Sequence, residues 1–209
     1  MSGLRHRYAG RLRRARQAGI AFEWRLEEGL ADEFIPLHAS YADLTITSPI
    51  DPDSLDVPGH RGLAVQLAME SGRPVLVIPF AEKIAALGQP ILVAWTDSRE
   101  AARALNDALP FLRRAELVSV LSINPSQSGY IAGFDISNQI SCHGGKAEAV
   151  RIVSGDVSVS DLLLFEAADL GADMIVMGSY GNFRSREFIL DASSRHILES
   201  MTVPMFVPH

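Results

Sequence analysis

Short apolar runs alternate with amphipathic stretches throughout residues 90–209. Several runs are apolar at successive positions, as in strands buried on both faces, and the stretches between them repeat apolar residues at the spacing of a helix. Strands that alternate with helices in this way predict a parallel α/β sheet with helices on both faces. The predicted strands of this part are residues 90–97, 115–123, 147–156, 172–178 and 203–207.

The helices predicted between these strands have recognisable ends. Asp97 or Ser98 can cap the helix that follows the first strand. Gly171 can end the helix that precedes strand 172–178, and Gly144 and Gly145 can end a helix that begins near residue 128. A last helix is expected at residues 191–200. The first helix should bury one apolar face, made of Ala101, Ala104, Leu105, Ala108 and Leu112.

Two stretches of the sequence recur at one fixed distance. Residues 41–49 resemble residues 171–179, and residues 72–79 resemble residues 202–209. Both matches have an offset of 130 residues. A period this long predicts duplication of a whole unit rather than a solenoid of short repeats.

The repeat predicts an incomplete first unit at residues 1–80, a linker at residues 81–89 and a complete domain at residues 90–209. The first unit has no counterpart of the first strand, the first helix or the second strand. Half a sheet leaves exposed edges, so either the chain start is truncated or misassigned, or this remnant takes a partner. Its matched pieces are a helix at 4–18, a strand at 21–29, a helix and strand at 30–47, a helix at 61–71 and a strand at 74–79.

Charge is distributed unevenly along the chain. The net charge is -6, yet residues 1–17 contain six arginines and no acidic residue. Such a run is found in nucleic-acid-binding arms and transit peptides. Here Leu4, Tyr8, Leu12 and Ala15 recur at helical spacing, which favours the solvated face of a helix. We therefore predict no nucleic-acid partner.

Cysteine use and hydropathy bear on the cellular compartment. The chain has a single cysteine, Cys142, so it has no internal disulfide framework. No run approaches the roughly 18 apolar residues of a membrane span, and the N-terminus lacks the apolar core of a secretory signal. These features predict a cytoplasmic protein without a membrane partner.

Parallel sheets of this kind bind ligands beyond the carboxyl ends of their strands. In residues 90–209 those ends are Trp95–Asp97, Asn124, Gly155–Asp156 and Gly178–Gly181. Helix N-termini at the same edge offer free N–H groups and a partial positive charge, which suit phosphate. We expect these segments to converge on a ligand site.

Four stretches give the domain at residues 88–209 a family resemblance: "ILVAWTDSREAARAL", "GDVSVSDLLLFEAADLGADMIVMGSYG", "REFIL" and "MTVPMFV". Together they resemble a universal stress protein domain, and the duplication resembles the tandem universal stress proteins of bacteria. The resemblance implies a Rossmann-like fold, of the adenine nucleotide alpha hydrolase type, with five parallel strands. It also implies that the two units associate through their last strands, 74–79 and 203–207, which resemble edge strands because they carry proline.

Some members of that family bind ATP through the motif Gly-x2-Gly-x9-Gly-(Ser/Thr). Gly178 and Gly181 match its first two glycines, whereas Asp191 replaces the third and Ala192 replaces the hydroxyl residue. The acidic residue that ATP-binding members place after the first strand falls on Thr96. The residues that the resemblance places at a nucleotide site are Thr96, Asp97, Gly155, Met177, Gly178, Gly181, Asp191, Ser193 and Ser194.

Asp191 decides between two interpretations of this site. Its carboxylate would repel phosphate, or it could cap helix 192–200 and occupy the place of the phosphate. Magnesium could instead bridge it to ATP. If Asp191 repels the phosphate or takes its place, the chain is a non-catalytic stress-response protein with a degenerate site. If magnesium bridges Asp191 to ATP, the chain is an ATP sensor with slow hydrolysis. We predict the degenerate site, no catalytic residue, no resident metal, and a homodimer.

Overall fold

The computed structural model describes residues 13–48, 63–79, 84, 87–125, 133–155, 157–178, 197 and 200–208. Its strands form one seven-stranded sheet in the order β1-β2-β7-β6-β3-β4-β5. In chain order they are β1 Thr45–Thr47, β2 Val75–Val77, β3 Pro90–Ala94, β4 Leu117–Ile123, β5 Ala147–Ile152, β6 Met174–Met177 and β7 Met205–Val207.

Strands β7, β6, β3, β4 and β5 are mutually parallel, which confirms the predicted five-stranded parallel sheet. β1 and β2 extend this sheet beyond β7. They are parallel to each other, and β2 is antiparallel to β7, with Leu76 opposite Phe206. The expected contact between the strands at 74–79 and 203–207 is therefore present.

The prediction that β2 and β7 are edge strands is wrong. Each has a strand on both sides, and both are buried at every position. Their prolines, Pro74 and Pro204, precede the strands and contribute only carbonyl groups, which accept from Thr45 N at 3.0 Å and Ile175 N at 2.9 Å. Proline at the start of a strand removes no donor from the ladder, so it does not mark an edge here.

Five helices with both ends within the described residues cover the two faces of the sheet. α1, α2 and α5 contribute to the core on one face, and α3 and α4 contribute to the core on the other. The five apolar positions predicted for the face of α3 are all buried. The helices are α1 Ala31–Ala39, α2 Leu63–Glu70, α3 Arg99–Leu112, α4 Phe134–Cys142 and α5 Val159–Asp169.

Adjacent residues of the central strands point to opposite faces, as strand geometry requires. Val75 and Val77 belong to the core under α1, α2 and α5, whereas Leu76 belongs to the core under α3 and α4. Phe206, opposite Leu76, packs its ring edge against Phe111 of α3 with ring centroids 5.6 Å apart. The first part of the chain thus shares both cores with the rest.

The predicted strand at residues 21–29 is absent. These residues have no regular secondary structure, and all are exposed. Residues 21–29 pair with no described strand, and apolar residues form a strand only beside a neighbour that takes up their backbone hydrogen bonds.

The described residues include only part of several other predicted segments. Residues 13–17 are helical, as the predicted helix 4–18 requires, and so are residues 197 and 200 of the predicted helix 191–200. The rest of both helices, and most of the predicted linker, lie outside the described residues. Among the described helices, none is long and apolar enough to cross a membrane.

Candidate functional site

The end of β3 leads directly into a capped N-terminus of α3. Trp95 N–H donates to Leu121 O at 2.8 Å, so the pairing with β4 continues past the end of β3. Ser98 has extended backbone, and its hydroxyl accepts from Ala101 N–H at 3.1 Å. The hydroxyl oxygens of Thr96 and Ser98 are 3.0 Å apart. One donor of the first helical turn is thus satisfied within the protein.

Of the two caps that the sequence allowed, the structure selects Ser98. Asp97 is exposed, and the side chain of Ser98 makes the cap hydrogen bond. A serine cap adds no charge at the helix end, so the negative charge in the first turn comes from another residue.

That residue is Glu100. Its side chain is only 16% exposed, whereas the side chain of Arg99 is 92% exposed. Arg99 Nε donates to Glu100 Oε1 at 2.5 Å. This hydrogen bond holds the pKa of Glu100 below its ordinary value of 4.5, against the opposing effect of burial. Glu100 is therefore an ionised carboxylate at the positive end of α3, where the helix dipole also favours it.

Gly178, directly after β6, lies against the same helical turn. A β-carbon at this position would be 2.7 Å from the backbone carbon of Glu100, 2.8 Å from Ala101 N and 3.0 Å from Glu100 Cβ. Two of these atoms are backbone, which cannot move aside as a flexible side chain could. The structure thus requires a glycine here for packing between β6 and α3, independently of any ligand.

The ends of β4 and β5 are joined by a pair of side-chain hydrogen bonds. Asn124 has a positive φ of 49°, and its Nδ2 donates to Ser154 Oγ at 2.6 Å. Ser154 N–H donates in return to Asn124 Oδ1 at 2.9 Å. Gly155, the next residue, is exposed, and a β-carbon there would meet no atom within 4 Å. Packing against the described residues therefore does not require a glycine at position 155.

The structure brings together some of the predicted site residues. Thr96 and Asp97 immediately precede α3, and Gly178 contacts its first turn. Met177 packs its side chain into the core on the opposite face of the sheet, away from α3. Gly155 follows β5, which is two strands from β3 and hence about 10 Å away. Gly181, Asp191, Ser193 and Ser194 lie outside the described residues.

Sequence reasoning did not include Glu100 and Asn124 among the candidate site residues. Asn124 was placed at a strand end, but nothing in the sequence shows its positive φ. Glu100 could have been found, because an acidic residue in the first turn of a helix at this edge of the sheet is a recognisable signal.

At this edge of the sheet the described residues offer the carboxylate of Glu100 in the first turn of α3 and the hydroxyl of Thr96, which is 3.0 Å from the hydroxyl of Ser98. Among the described residues, no three His, Cys, Asp or Glu side chains lie close enough together to hold a metal ion.

The fold resembles solved structures over nearly its whole length. A universal stress protein from Archaeoglobus fulgidus DSM 4304 matches with a TM-score of 0.75 and 17% identity, over 99% of this chain and 76% of its own. A protein of Pseudomonas aeruginosa UCBPP-PA14, solved as a candidate universal stress protein, matches with a TM-score of 0.62 and 15% identity, over 96% of this chain and 78% of its own. At these identities the likeness concerns the fold.

Sequence comparison is more specific for one part of the chain. No curated protein matches it. The model of the universal stress protein family matches residues 88–209, which is more than half of the chain and includes β3 to β7 with the capped α3 and Gly178. The chain therefore belongs to the universal stress protein family.

Proposed function

We propose that this chain is a non-catalytic stress-response protein whose nucleotide site is degenerate and binds ATP weakly or not at all. The observation that carries this proposal is the partly buried, ionised carboxylate of Glu100 in the first turn of α3, the turn against which Gly178 packs. A helix N-terminus attracts phosphate through free N–H groups and partial positive charge. Here the carboxylate of Glu100 interacts with that partial positive charge in place of a phosphate.

The size of the effect follows from Coulomb's law. Two like charges about 4 Å apart repel by about 1 kcal/mol in water and about 4 kcal/mol at an effective dielectric of 20. A phosphate brought to the first turn of α3 would meet this repulsion from Glu100. Arg99 reduces it, but its own side chain is 92% exposed and therefore screened by solvent.

Asp191 would add a second carboxylate to the same site. It occupies the position of the third glycine in the family's nucleotide motif. A capping role for Asp191 at helix 192–200 would leave the N–H groups of that helix unavailable to a phosphate. We therefore favour the degenerate site, because Glu100 opposes a phosphate at α3 and Asp191 would oppose one at the predicted helix 192–200.

The protein then acts through its surface rather than through chemistry. Nothing in the described residues forms a nucleophile with an adjacent base, and the sequence has no Gly-x-Ser-x-Gly elbow. We infer a homodimer in the cytoplasm, without a nucleic-acid partner. The exposed free thiol of Cys142 suits a reducing compartment.

Calorimetric titration with Mg-ATP tests the proposal. Wild type, Glu100→Gln, Asp191→Gly and the double variant are compared at two concentrations of free magnesium, with Asp97→Asn as a control that changes an exposed acid nearby. We expect no binding heat from wild type or Asp97→Asn, and measurable binding from the double variant, because it removes both charges that oppose phosphate.

Micromolar binding by wild type would overturn the proposal, because it corresponds to about -8 kcal/mol of favourable free energy at a site said to repel the ligand. If that binding required free magnesium and weakened in Asp191→Asn, the metal would bridge Asp191 to the phosphates. The protein would then be the ATP sensor, and phosphate release would measure any slow hydrolysis.

A further inference from the structure

The N-terminus of α4 has no side-chain cap. Its N-cap residue is Gly133, which has a positive φ of 83° and no side chain that could accept a hydrogen bond. The first hydrogen bond of this turn runs from Ser137 N–H to Gly133 O at 2.9 Å. The N–H groups of residues 134–136 precede that bond and have no carbonyl partner within the helix. They give this end of α4 a partial positive charge.

The hydroxyl of Ser122, near the end of β4, lies against this helix end. Ser122 is only 3% exposed, and its Oγ is buried without a hydrogen-bond partner in the described structure. A β-carbon placed on Gly133 would be 3.4 Å from this Oγ, so the hydroxyl is in contact with the N-cap residue. A buried hydroxyl that makes no hydrogen bond is costly, and it is therefore rare in folded proteins.

Arg151 of β5 is the cross-strand neighbour of Ser122. Adjacent strands are about 4.8 Å apart, so the guanidinium group can reach the surroundings of the hydroxyl. Ser122 has the parity of Val120, and Arg151 has the parity of Ala147. Both Val120 and Ala147 pack in the core under α3 and α4. The side chains of Ser122 and Arg151 therefore stand on the face of the sheet on which α4 packs.

Positive charge at this point is not balanced within the described structure. Arg151 is exposed, and it forms no ion pair with a described carboxylate. A cation beside a helix N-terminus reverses the favourable arrangement, in which anions lie at that end. Glu148 of the same strand stands on the opposite face, where it accepts from Ser119 Oγ at 3.0 Å.

The acidic residue of this helical turn differs from that of α3. Asp135 lies in the first turn of α4 but is exposed, so solvent screens its charge. Glu100, in the first turn of α3, has a side chain that is only 16% exposed. The N-terminus of α4 thus remains available to an external anion.

The strands that carry Ser122 and Arg151 are fixed just beyond this pair. Asn124 and Ser154 exchange two hydrogen bonds, at 2.6 Å and 2.9 Å, between the ends of β4 and β5. The distance between the hydroxyl and the arginine backbone is therefore set before any ligand arrives, and prior ordering of this kind lowers the cost of binding.

We propose that Arg151, the hydroxyl of Ser122 and the N–H groups of residues 134–136 form an anion site that binds a phosphate group. An arginine fork matches the oxygens of phosphate, and a helix N-terminus supplies further N–H donors. The donors come from three elements, α4, β4 and β5. A tetrahedral phosphate presents oxygens in several directions and suits this arrangement better than a planar carboxylate. Its binding would satisfy the buried hydroxyl and balance the positive charge.

This site is separate from the degenerate nucleotide site. It belongs to β4, β5 and α4, whereas Glu100 and Gly178 belong to α3 and to the end of β6. Occupation of the site by phosphate does not depend on whether the chain binds ATP at α3.

A titration with inorganic phosphate, followed by the amide resonances of residues 134–136 in ¹⁵N-labelled protein, tests the site. Ionic strength is held constant with chloride. We expect saturable shifts of these resonances with phosphate. Acetate should produce weaker shifts, because it has only two oxygens. Glycerol 3-phosphate distinguishes the two sources of the group: equal shifts would assign a phosphate ester, and no shift would assign the free ion.

Three variants identify the groups that bind. Arg151→Gln removes the guanidinium, and Ser122→Ala removes the hydroxyl. Each should raise the dissociation constant for phosphate at least about 10-fold, since each removes a hydrogen bond to a charged group. Arg113→Gln is the matched control, because Arg113 is an exposed arginine at the opposite end of α3 and should leave the constant unchanged.

Urea unfolding in phosphate-free buffer adds a readout that a purely structural role of Ser122 would move in the opposite direction. If the hydroxyl lacks a partner until phosphate binds, Ser122→Ala should be as stable as wild type or more stable. A less stable Ser122→Ala would show that the hydroxyl is already bonded in the free protein, and would overturn its role as a ligand donor. The site as a whole would be overturned by wild-type resonances that do not shift, by shifts that persist in Arg151→Gln, or by acetate that binds as tightly as phosphate.

Discussion

Gly178 and Glu100 approach so closely that a β-carbon on Gly178 would lie 2.7 Å from the backbone carbon of Glu100. This contact gives the first glycine of the nucleotide motif a purely structural reason to be present. Glycine at this position allows the chain leaving β6 to pass over the first turn of α3. The presence of a glycine at position 178 is therefore no argument for nucleotide binding.

Replacing Gly178 by alanine should destabilise the fold. The added methyl group would meet backbone atoms, and overpacking of this kind typically costs about 1–3 kcal/mol. Urea unfolding followed by circular dichroism measures the loss. Gly155→Ala is the control, because a β-carbon at that position meets nothing within 4 Å. Equal stability of the two variants would show that α3 and β6 are farther apart than the structure has them.

Much of the fold could be predicted because it depends on local patterns. The apolar runs gave the five parallel strands, and the periodicity of Ala101, Ala104, Leu105, Ala108 and Leu112 gave the buried face of α3. Residues 21–29 could not be judged in this way. Their apolar residues resemble a strand, but a strand exists only if a neighbour pairs with it, and that depends on distant parts of the chain.

The site was less predictable than the fold. A motif match identifies positions, but not the direction of a side chain. Met177 lies between matched residues, yet its side chain enters the opposite core, and Gly155 follows a strand two places from β3. Glu100 has no place in the family's glycine motif. Its charge is held by the hydrogen bond from Arg99, and that contact is visible only in three dimensions.

Removal of the cap on α3 should weaken the helix. Ser98→Ala loses the acceptor for Ala101 N–H, and loss of a serine cap costs about 0.5–2 kcal/mol. Asp97→Ala changes the exposed neighbouring residue and should alter the free energy of unfolding by less than about 0.5 kcal/mol. Denaturant unfolding of both variants compares them. A larger loss for Asp97→Ala would assign the cap to the aspartate instead.

Glu100 should make stability depend on pH. Its pKa is lowered in the folded protein, so the carboxylate contributes stability that is present above its ordinary pKa of 4.5 and is lost as pH falls through the folded pKa. Glu100→Gln should therefore be less stable than wild type at pH 7, and the difference should shrink below pH 4.5. Thermal unfolding from pH 7 to pH 3 measures this. A difference that stays constant with pH would show that the charge of Glu100 contributes nothing.

Asp173 should be important for the start of β3. Its Oδ1 accepts from Gly88 N–H at 2.8 Å and Gln89 N–H at 3.0 Å. Asp173→Ala leaves two partly buried donors without their acceptor, which should cost about 1–3 kcal/mol. Asp169→Ala, at an exposed position at the end of α5, is the control and should change stability little. If the two variants unfold alike, solvent must satisfy these N–H groups as well as Asp173 does.

The junction between β2 and β7 should make the described parts of the chain unfold together. Leu76 belongs to the first part of the chain, yet it lies opposite Phe206 and is buried in the core under α3 and α4. Leu76→Ala should cost about 2–5 kcal/mol, as truncation of a buried leucine does. Because both parts share that core, amide hydrogen exchange should show the same loss of protection in β2, β7 and β6.

Ile46→Ala shortens an exposed side chain in neighbouring β1 and should leave protection in β6 and β7 unchanged at concentrations where the protein is monomeric. Loss of protection confined to β1 and β2 in Leu76→Ala would mean that the first part unfolds independently, and that its strands join the sheet without stabilising the family domain.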